Sequence, residues 1–298
     1  MTLLLAGVSG LAASPSKAAP TVIIVAADQR PAFEQVIDGF IDGLKAQGLT
    51  IVRRDLDPDV VAHDPLAADL VLALGSGATA AVLARAHHPP LIHAVSGRPP
   101  ELPPPGVGAP IVAGVSPIPS FADQLALVRA VAPNLKRIGV VGRTGELGFL
   151  ATARSLPEAQ GLTLVPLEVA GPEAVAAAIL QAADQVDGIL AGADPRLWNG
   201  NTLKAAVISS LRVRRPLFGM ATSFTKAGAL ASVAAEDYPG IGAEAARLAQ
   251  EILAGRGQNL PRLVSPKRSL TSINLVVADR LGIRPTRGAL DAAHEVFQ

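Results

Sequence analysis

Apolar positions follow two rhythms after Pro20. TVIIVAA, residues 21–27, is an unbroken apolar run, as expected of a strand covered on both faces. Phe33, Val36, Ile37, Phe40, Ile41 and Leu44 then recur at three- and four-residue steps, the stripe of an amphipathic helix, and Gly48 closes it. LTIVRRD, DLVLALG (69–75), PLIHAVS (90–96) and IVAGVS read as further strands, with a helix over 77–86. A third helix carries Phe121, Leu125, Val128 and Val131. Between them RPPELPPPGVGAP (98–110) is a loop, because proline removes donors and fixes φ.

The pattern restarts at Arg137. RIGVVG, LTLVPLEVA, DGILAGAD and PLFGMA (216–221) are strands, separated by helices over 150–158, 175–183 and 202–211. ALASVA follows, then a helix with Ala245, Leu248, Ala249 and Ile252, an extended segment, and a last helix near 274–281. Two consecutive blocks of β-α units predict two Rossmann-like α/β lobes, each a parallel sheet flanked by helices. Ligands of such sheets sit beyond the carboxyl ends of the strands, so two facing lobes make a cleft.

Composition narrows the chemistry. At 298 residues, 49% hydrophobic and 17% charged, the chain has material for a sizeable core. Only 3% is aromatic, so Ala, Val, Leu and Ile build that core. A net charge of +1 gives no field for nucleic acid, which is not expected as a partner. Zero cysteine excludes disulfides, thiol catalysis and thiolate metal sites. Residues 1–19, MTLLLAGVSGLAASPSKAA, look like a secretory signal peptide with a short apolar stretch and small residues near a cleavage point, though without a basic start. The plainer reading is a mildly apolar N-terminus. No cysteine follows, so a lipoprotein anchor is not expected.

Catalytic and cofactor signatures are missing. There is no G-x-S-x-G and no phosphate-cradling P-loop, and Gly106-Val107-Gly108 follows a proline-rich loop rather than a strand. None of His63, His87, His88, His93 and His294 falls in a metal-binding motif, and His93 reads as a satisfied core histidine. Glu236 and Asp237 suit a helix N-terminus better than acid–base work. No cofactor, no metal and no enzymatic activity are expected.

Polar clusters after nearly every strand carry the functional expectation. Asp28, Gln29 and Arg30 follow the first strand. Gly75, Ser76, Gly77, Ala78 and Thr79 follow the third and open a helix whose free N–H groups suit an anion. Ser96, Gly97 and Arg98 follow the fourth; Arg98 is either a carboxylate partner or a loop charge. In the second block Arg143, Thr144, Gly145 and Glu146, then Asp194, then Thr222 and Ser223, take the same places. A ring of hydrogen-bonding groups on an apolar scaffold is how small-molecule sites are built.

The stretches DLVLALGSGATAAVLA, IVAGVS, QLALVRAVAPNLKRIGVV, VDGILAGAD, PLFG, GALASVAAEDYPGIGAEAARLAQEILAG and INLVVADRLGI stand in the order found in one family. Over roughly residues 21–298 the chain resembles the periplasmic substrate-binding proteins of ABC transporters, in their tryptophan/tyrosine-type group. The resemblance implies a type I-like fold: two lobes joined by three crossovers, with ligand trapped between them. It implies lobe one over 20–136 plus 226–262, lobe two over 137–225 plus 263–298, and LPRLVSPKRSLT as the last crossover. It also implies a periplasmic protein that delivers a small ligand to an inner-membrane permease by hinge closure.

The resemblance places Tyr238, the lone tyrosine, near the cleft mouth, where its ring either covers a ligand or packs the start of its helix. The chain also departs from the family. Ser96-Gly97-Arg98 replaces an acidic turn, Gly142-Arg143-Thr144 replaces an aromatic–Asn–Pro turn, and Met220-Ala221-Thr222-Ser223 follows PLFG where acids are frequent. Losing acids and gaining Arg98 and Arg143 favours an anionic, amino-acid-like ligand. A ligand-sensing or partner-binding domain on the same fold, without transport, is the alternative.

Overall fold

Among the described residues twelve strands form two sheets, and the side-chain alternation along each strand divides its residues between two helical layers. The computed structural model describes residues 19–26, 29–45, 48–55, 66–96, 110–194, 196–235, 237–267 and 269–298. Asp28, His63, Asp64, Arg98, Glu236, the segment 1–18 and the proline-rich run over 97–109 lie outside them.

The first sheet contains β1 (Thr21–Ala26), β2 (Thr50–Asp55), β3 (Leu70–Leu74), β4 (Leu91–Ala94) and β5 (Val112–Val115), in the order β2-β1-β3-β4-β5. All its pairings are parallel. Val22, Ile24 and Ala26 face one core with Phe33, Val36 and Phe40 of α1 (Pro31–Leu44) and Ile241, Ala245 and Leu248 of α8 (Tyr238–Leu253). Ile23 and Val25 face the other, with Ala78 and Val82 of α2 (Ser76–Leu83).

The second sheet contains β6 (Arg137–Arg143), β7 (Thr163–Val169), β8 (Gly188–Ala191), β9 (Leu217–Gly219), β10 (Ala231–Ala234), β11 (Leu270–Asn274) and β12 (Glu295–Phe297). Its order is β12-β11-β10-β9-β8-β6-β7, parallel except between β10 and β11. One face is covered by α3 (Phe121–Val131), α4 (Leu150–Ala153), α9 (Leu275–Leu281) and α10 (Arg287–Ala292). The other carries α5 (Val175–Gln181), α6 (Gly200–Arg212) and α7 (Thr222–Ala227).

The chain passes between the sheets three times. It leaves the first sheet after β5, returns after β10 to lay α8 on the first sheet, and crosses again to β11. The first and third passages lie side by side. Val264 N–H donates to Gly114 O at 2.9 Å and Ser116 N–H to Val264 O at 2.8 Å.

Two elements sit differently from the sequence expectation, which put residues 121–136 and 226–262 together on lobe one. Leu125, Val128 and Val131 of α3 pack with Ile138, Val140 and Val233, on the second sheet. Strand β10 pairs with both β9 and β11, because a fully buried ASVA run needs ladder partners on both sides; the chain crosses after it, not before. The helix expected over 150–158 stops at Ala153, and Pro157 opens a separate 3₁₀ turn. The PLFGMA strand is three residues long and gives way to α7.

Helices α1 and α8 meet backbone to backbone. A Cβ on Gly242 would lie 2.1 Å from Val36 O, and one on Gly39 would lie 2.2 Å from Pro239 O. Gln250 Nε2 donates to Gly43 O at 2.9 Å across the same seam. Only glycine lets α8 fill the gap that covers this face of the first sheet.

Candidate functional site

The strand orders fix where ligands can enter. In each sheet the direction of winding reverses once, between β1 and β3 in the first and between β6 and β8 in the second. A crevice opens beyond the carboxyl ends at such a reversal. In the second sheet that crevice is a cavity of about 220 Å³, walled by the turns after β6 and β8 and by the start of α3.

The glycines at the strand ends shape it. A Cβ on Gly142 would lie 2.4 Å from Leu147 Cδ2, and one on Gly192 2.1 Å from Val141 O, so both turns hug the sheet. Arg143 ends β6, and Asp194 lies three residues beyond β8. Arg143 Nε donates to Asp194 Oδ2 at 2.8 Å, and Arg143 also donates to Glu146. Arg196 completes the ring: its Nε donates to Asp194 Oδ1 at 2.9 Å, and one terminal nitrogen reaches Glu146 Oε1 at 2.7 Å. Burial alone would raise the Asp194 carboxyl. The bonds from Arg196, side chain and backbone, and from Arg143 override it and hold the group far below the usual carboxylate range. Asp194 and Glu146 in turn raise the Arg196 guanidinium. Two cations and two anions leave the quartet with no net charge.

The opposite wall is apolar. Phe121 and Phe149 meet edge to face, 5.1 Å between centroids and 84° between planes. Beside them Gln124 is 1% exposed; its Nε2 donates to Pro119 O at 3.3 Å and its Oε1 has no partner. Trp198 braces the floor by donating from Nε1 to Gly192 O at 2.9 Å, with its ring against Phe224.

The matching end of the first sheet is organised by hydroxyls. Gly75, at φ +86°, turns the chain from β3 into α2. Thr79 Oγ1 donates to Gly75 O at 2.9 Å, so the 3.2 Å bond between Thr79 and Ser96 takes its proton from Ser96. Ser96 Oγ is then left to accept from His93 Nδ1, at a long 3.5 Å. That order makes Nε2 the bare nitrogen of His93, and it has no partner. Burial pushes the His93 imidazole down to about 4. His93 is therefore not the satisfied core histidine that the sequence suggested. The outer edge of its ring fills the space over Gly114, its register partner in β5, where a Cβ would come within 2.2 Å of Nε2. Val95, between His93 and Ser96, holds φ at +53°, a strained conformation for a β-branched residue.

Among the residues singled out from sequence, the structure joins Arg143 to Asp194 directly, with Thr144 exposed in the same turn. Thr79 and Ser96 are buried and bonded to each other, Ala78 is part of the core, and Ser76 is exposed on the first turn of α2. Gln29 is exposed beyond β1. Thr222 and Ser223 open α7, away from the ion quartet's hydrogen bonds. Tyr238 packs against the first core, and Asp237 caps its helix by accepting from Gly240 N–H at 3.2 Å. The sequence reading missed Gln124, Phe121 and Phe149 as cavity residues and Arg196 as the partner of Asp194 and Glu146, and left Glu146 outside the site. Arg196 stood two residues past a strand-end aspartate, which was the available signal. Among the described residues no cluster of His, Asp or Glu is placed to hold a metal ion, and no helix is long and apolar enough to cross a membrane.

Comparison with known proteins agrees with this architecture. A family model described as ABC transporter substrate binding protein matches residues 21–297. No curated protein sequence matches the chain. Similar solved structures include a conserved domain protein from Vibrio cholerae, at 24% identity and a TM-score of 0.56, covering 94% of this chain and 100% of that one. A domain from Streptococcus pneumoniae in complex with L-Trp matches at 22% identity and a TM-score of 0.57, covering 94% and 100%. A ligand-free, open substrate-binding protein with adhesive properties from Clostridium difficile matches at 18% identity and a TM-score of 0.65, covering 94% and 99%. At these identities the likeness is one of fold, that of the type I periplasmic binding proteins.

Proposed function

Because the chain belongs to the ABC transporter substrate-binding protein family, we propose that it captures a small organic molecule between its lobes, outside the cytoplasm, and presents it to a membrane permease. No bond is made or broken in this role. The observation that carries the reading is the cavity at the β6/β8 reversal, which takes one wall from strand ends and another from Pro119 in the segment that joins the sheets. At about 220 Å³ it is smaller than the ~300 Å³ at which ligand pockets begin, so it is one half of a site.

The other half comes from the reversal in the first sheet, where Gln29, Arg30 and Ser76 are exposed polar groups among the described residues. Thr79 and Ser96 act there by holding the turn rather than by touching the ligand. Closure brings the two halves onto the guest, and contacts to both favour the closed form. Arg143 is paired with Asp194 and Glu146, so among the described residues the wall of this cavity carries no unpaired cation for an anionic ligand.

Thermal-shift measurement with millimolar amino acids, carboxylates and nucleosides tests the reading, with L-tryptophan included because the pneumococcal relative holds it. A ligand at one hundred times its Kd stabilises by about 2.7 kcal/mol, which raises Tm by a few degrees in a chain of this size. A melting point unmoved by the whole panel would count against ligand capture.

A further inference from the structure

Helix α3 borders two cavities. The one described above takes Phe121 and Gln124 from it. The other, of about 440 Å³, takes Asp123, Ala126, Leu127 and Ala130, which fall on a different face of the helix, and the two cavities share no lining residue. Val233 of β10 and Thr271 of β11, which are register partners, line it from the second sheet. Lys267 and Ser269 of the third passage and Ala289 of α10 line it too. This volume falls within the ~300–1,000 Å³ of ligand pockets, without any closure of the lobes.

The hydroxyl protons of this wall are already committed. Thr286 Oγ1 donates to Ala130 O at 3.0 Å and accepts from Ala289 N–H at 3.1 Å. Ser269 Oγ donates to Asp123 Oδ2 at 3.3 Å, and Thr271 Oγ1 to Ala292 O at 3.4 Å. Ser120 Oγ donates to the same Asp123 Oδ2 at 2.7 Å. Asp123 Oδ1 and the hydroxyl oxygens of Ser269 and Thr271 receive no donor among the described residues. Asp123 also has no ion-pair partner among them. The wall therefore has acceptor capacity to spare: one carboxylate oxygen and two hydroxyl oxygens. Its one cationic side chain, Lys267, is exposed and lies 4.0 Å from Glu244 of α8.

We infer that this cavity is a second ligand site, for a primary ammonium carried on an apolar body. The three N–H bonds of such a group answer the three acceptors in number and kind, and its charge answers Asp123. Leu127, Val233 and Ala289 receive the hydrocarbon. The site goes beyond ligand capture between the lobes and does not depend on it.

Three probes of near-equal size test the assignment by calorimetric titration at pH 7: 2-phenylethylamine, 2-phenylethanol and 3-phenylpropanoate. In the wild type the amine is expected to bind at least about tenfold more tightly than the alcohol or the carboxylate. Asp123→Asn should weaken the amine about tenfold and leave the alcohol unchanged, with the melting temperature checking the fold. Ala126→Phe, at an exposed position on the wall, should fill the cavity and abolish amine binding. Amine affinity that survives in either folded variant overturns the site. So does a carboxylate that binds as tightly as the amine, which would make Lys267 the anchor, or binding by none of the three. Should Asp123→Asn fail to fold, the wild-type ratio and Ala126→Phe decide. Any of these failures leaves capture between the lobes to be judged by the broader panel.

Discussion

His93 shows how much a single side chain contributes to the fold's acid limit. Its imidazole stays neutral down to about pH 4 in the folded protein, against an ordinary value of 6.5. Between those values the unfolded chain takes up a proton that the folded chain refuses. Stability from this group is therefore complete above pH 6.5 and is lost as pH falls toward 4. The loss amounts to about 3 kcal/mol, from 1.36 kcal/mol per pKa unit. Denaturant titrations at pH 7 and pH 4.5 should show this loss in the wild type and most of it removed in His93→Leu; an equal slope in both would show that other groups set the acid limit. Residue-level legibility in the sequence was uneven for a physical reason. Arg143 and Asp194 were readable because they stand at strand ends, where chemistry concentrates. Gln124 and Phe121 were hidden because they lie on a helix whose apolar stripe, Phe121, Leu125, Val128 and Val131, reads as core. Thr79 and Ser96 were readable as polar strand-end groups, but only coordinates reveal that their hydroxyls bond each other.

At the scale of elements, the seam between α1 and α8 is the place where a methyl group matters most. Gly242→Ala would put a Cβ 2.1 Å from Val36 O and 2.7 Å from Phe40 N, both rigid backbone. Forcing the helices apart should cost about 1–3 kcal/mol. Gly288→Ala, in α10 with nothing within 4 Å of the new methyl, should be neutral or stabilise by up to about 1 kcal/mol. Chemical denaturation of the two variants checks the contrast, and equal effects would contradict the close approach. The regular strands and the long helices were legible from periodicity alone, since buried parallel strands leave continuous apolar runs. Helix α7, TSFTKA, was not, because six residues with two buried side chains carry no periodic signal. Strand β12 and helix α10 escaped for the same reason. The lobe assigned to α3 and β10 was not legible either, since an apolar run does not say which sheet buries it.

At the scale of the whole molecule, the passages between the sheets are tied to each other at Val115 and Val264. Val264→Pro removes the N–H that donates to Gly114 O, one of the two bonds between the segments, and loosens the tie. The expected outcome is an unchanged far-ultraviolet circular dichroism spectrum with a larger radius of gyration in small-angle X-ray scattering; an identical scattering profile would show that the bond does not restrain the lobes. The return of the chain after β10 has a different consequence, one of timing. Phe33, Phe40 and the rest of that face are synthesised first, yet the helix that shields them comes roughly two hundred residues later. Until that late segment emerges, the growing polypeptide displays a greasy, half-built surface. The half begun earliest is thus the half completed last, which makes aggregation of nascent or truncated chains, rather than any weakness of the finished protein, its most exposed moment.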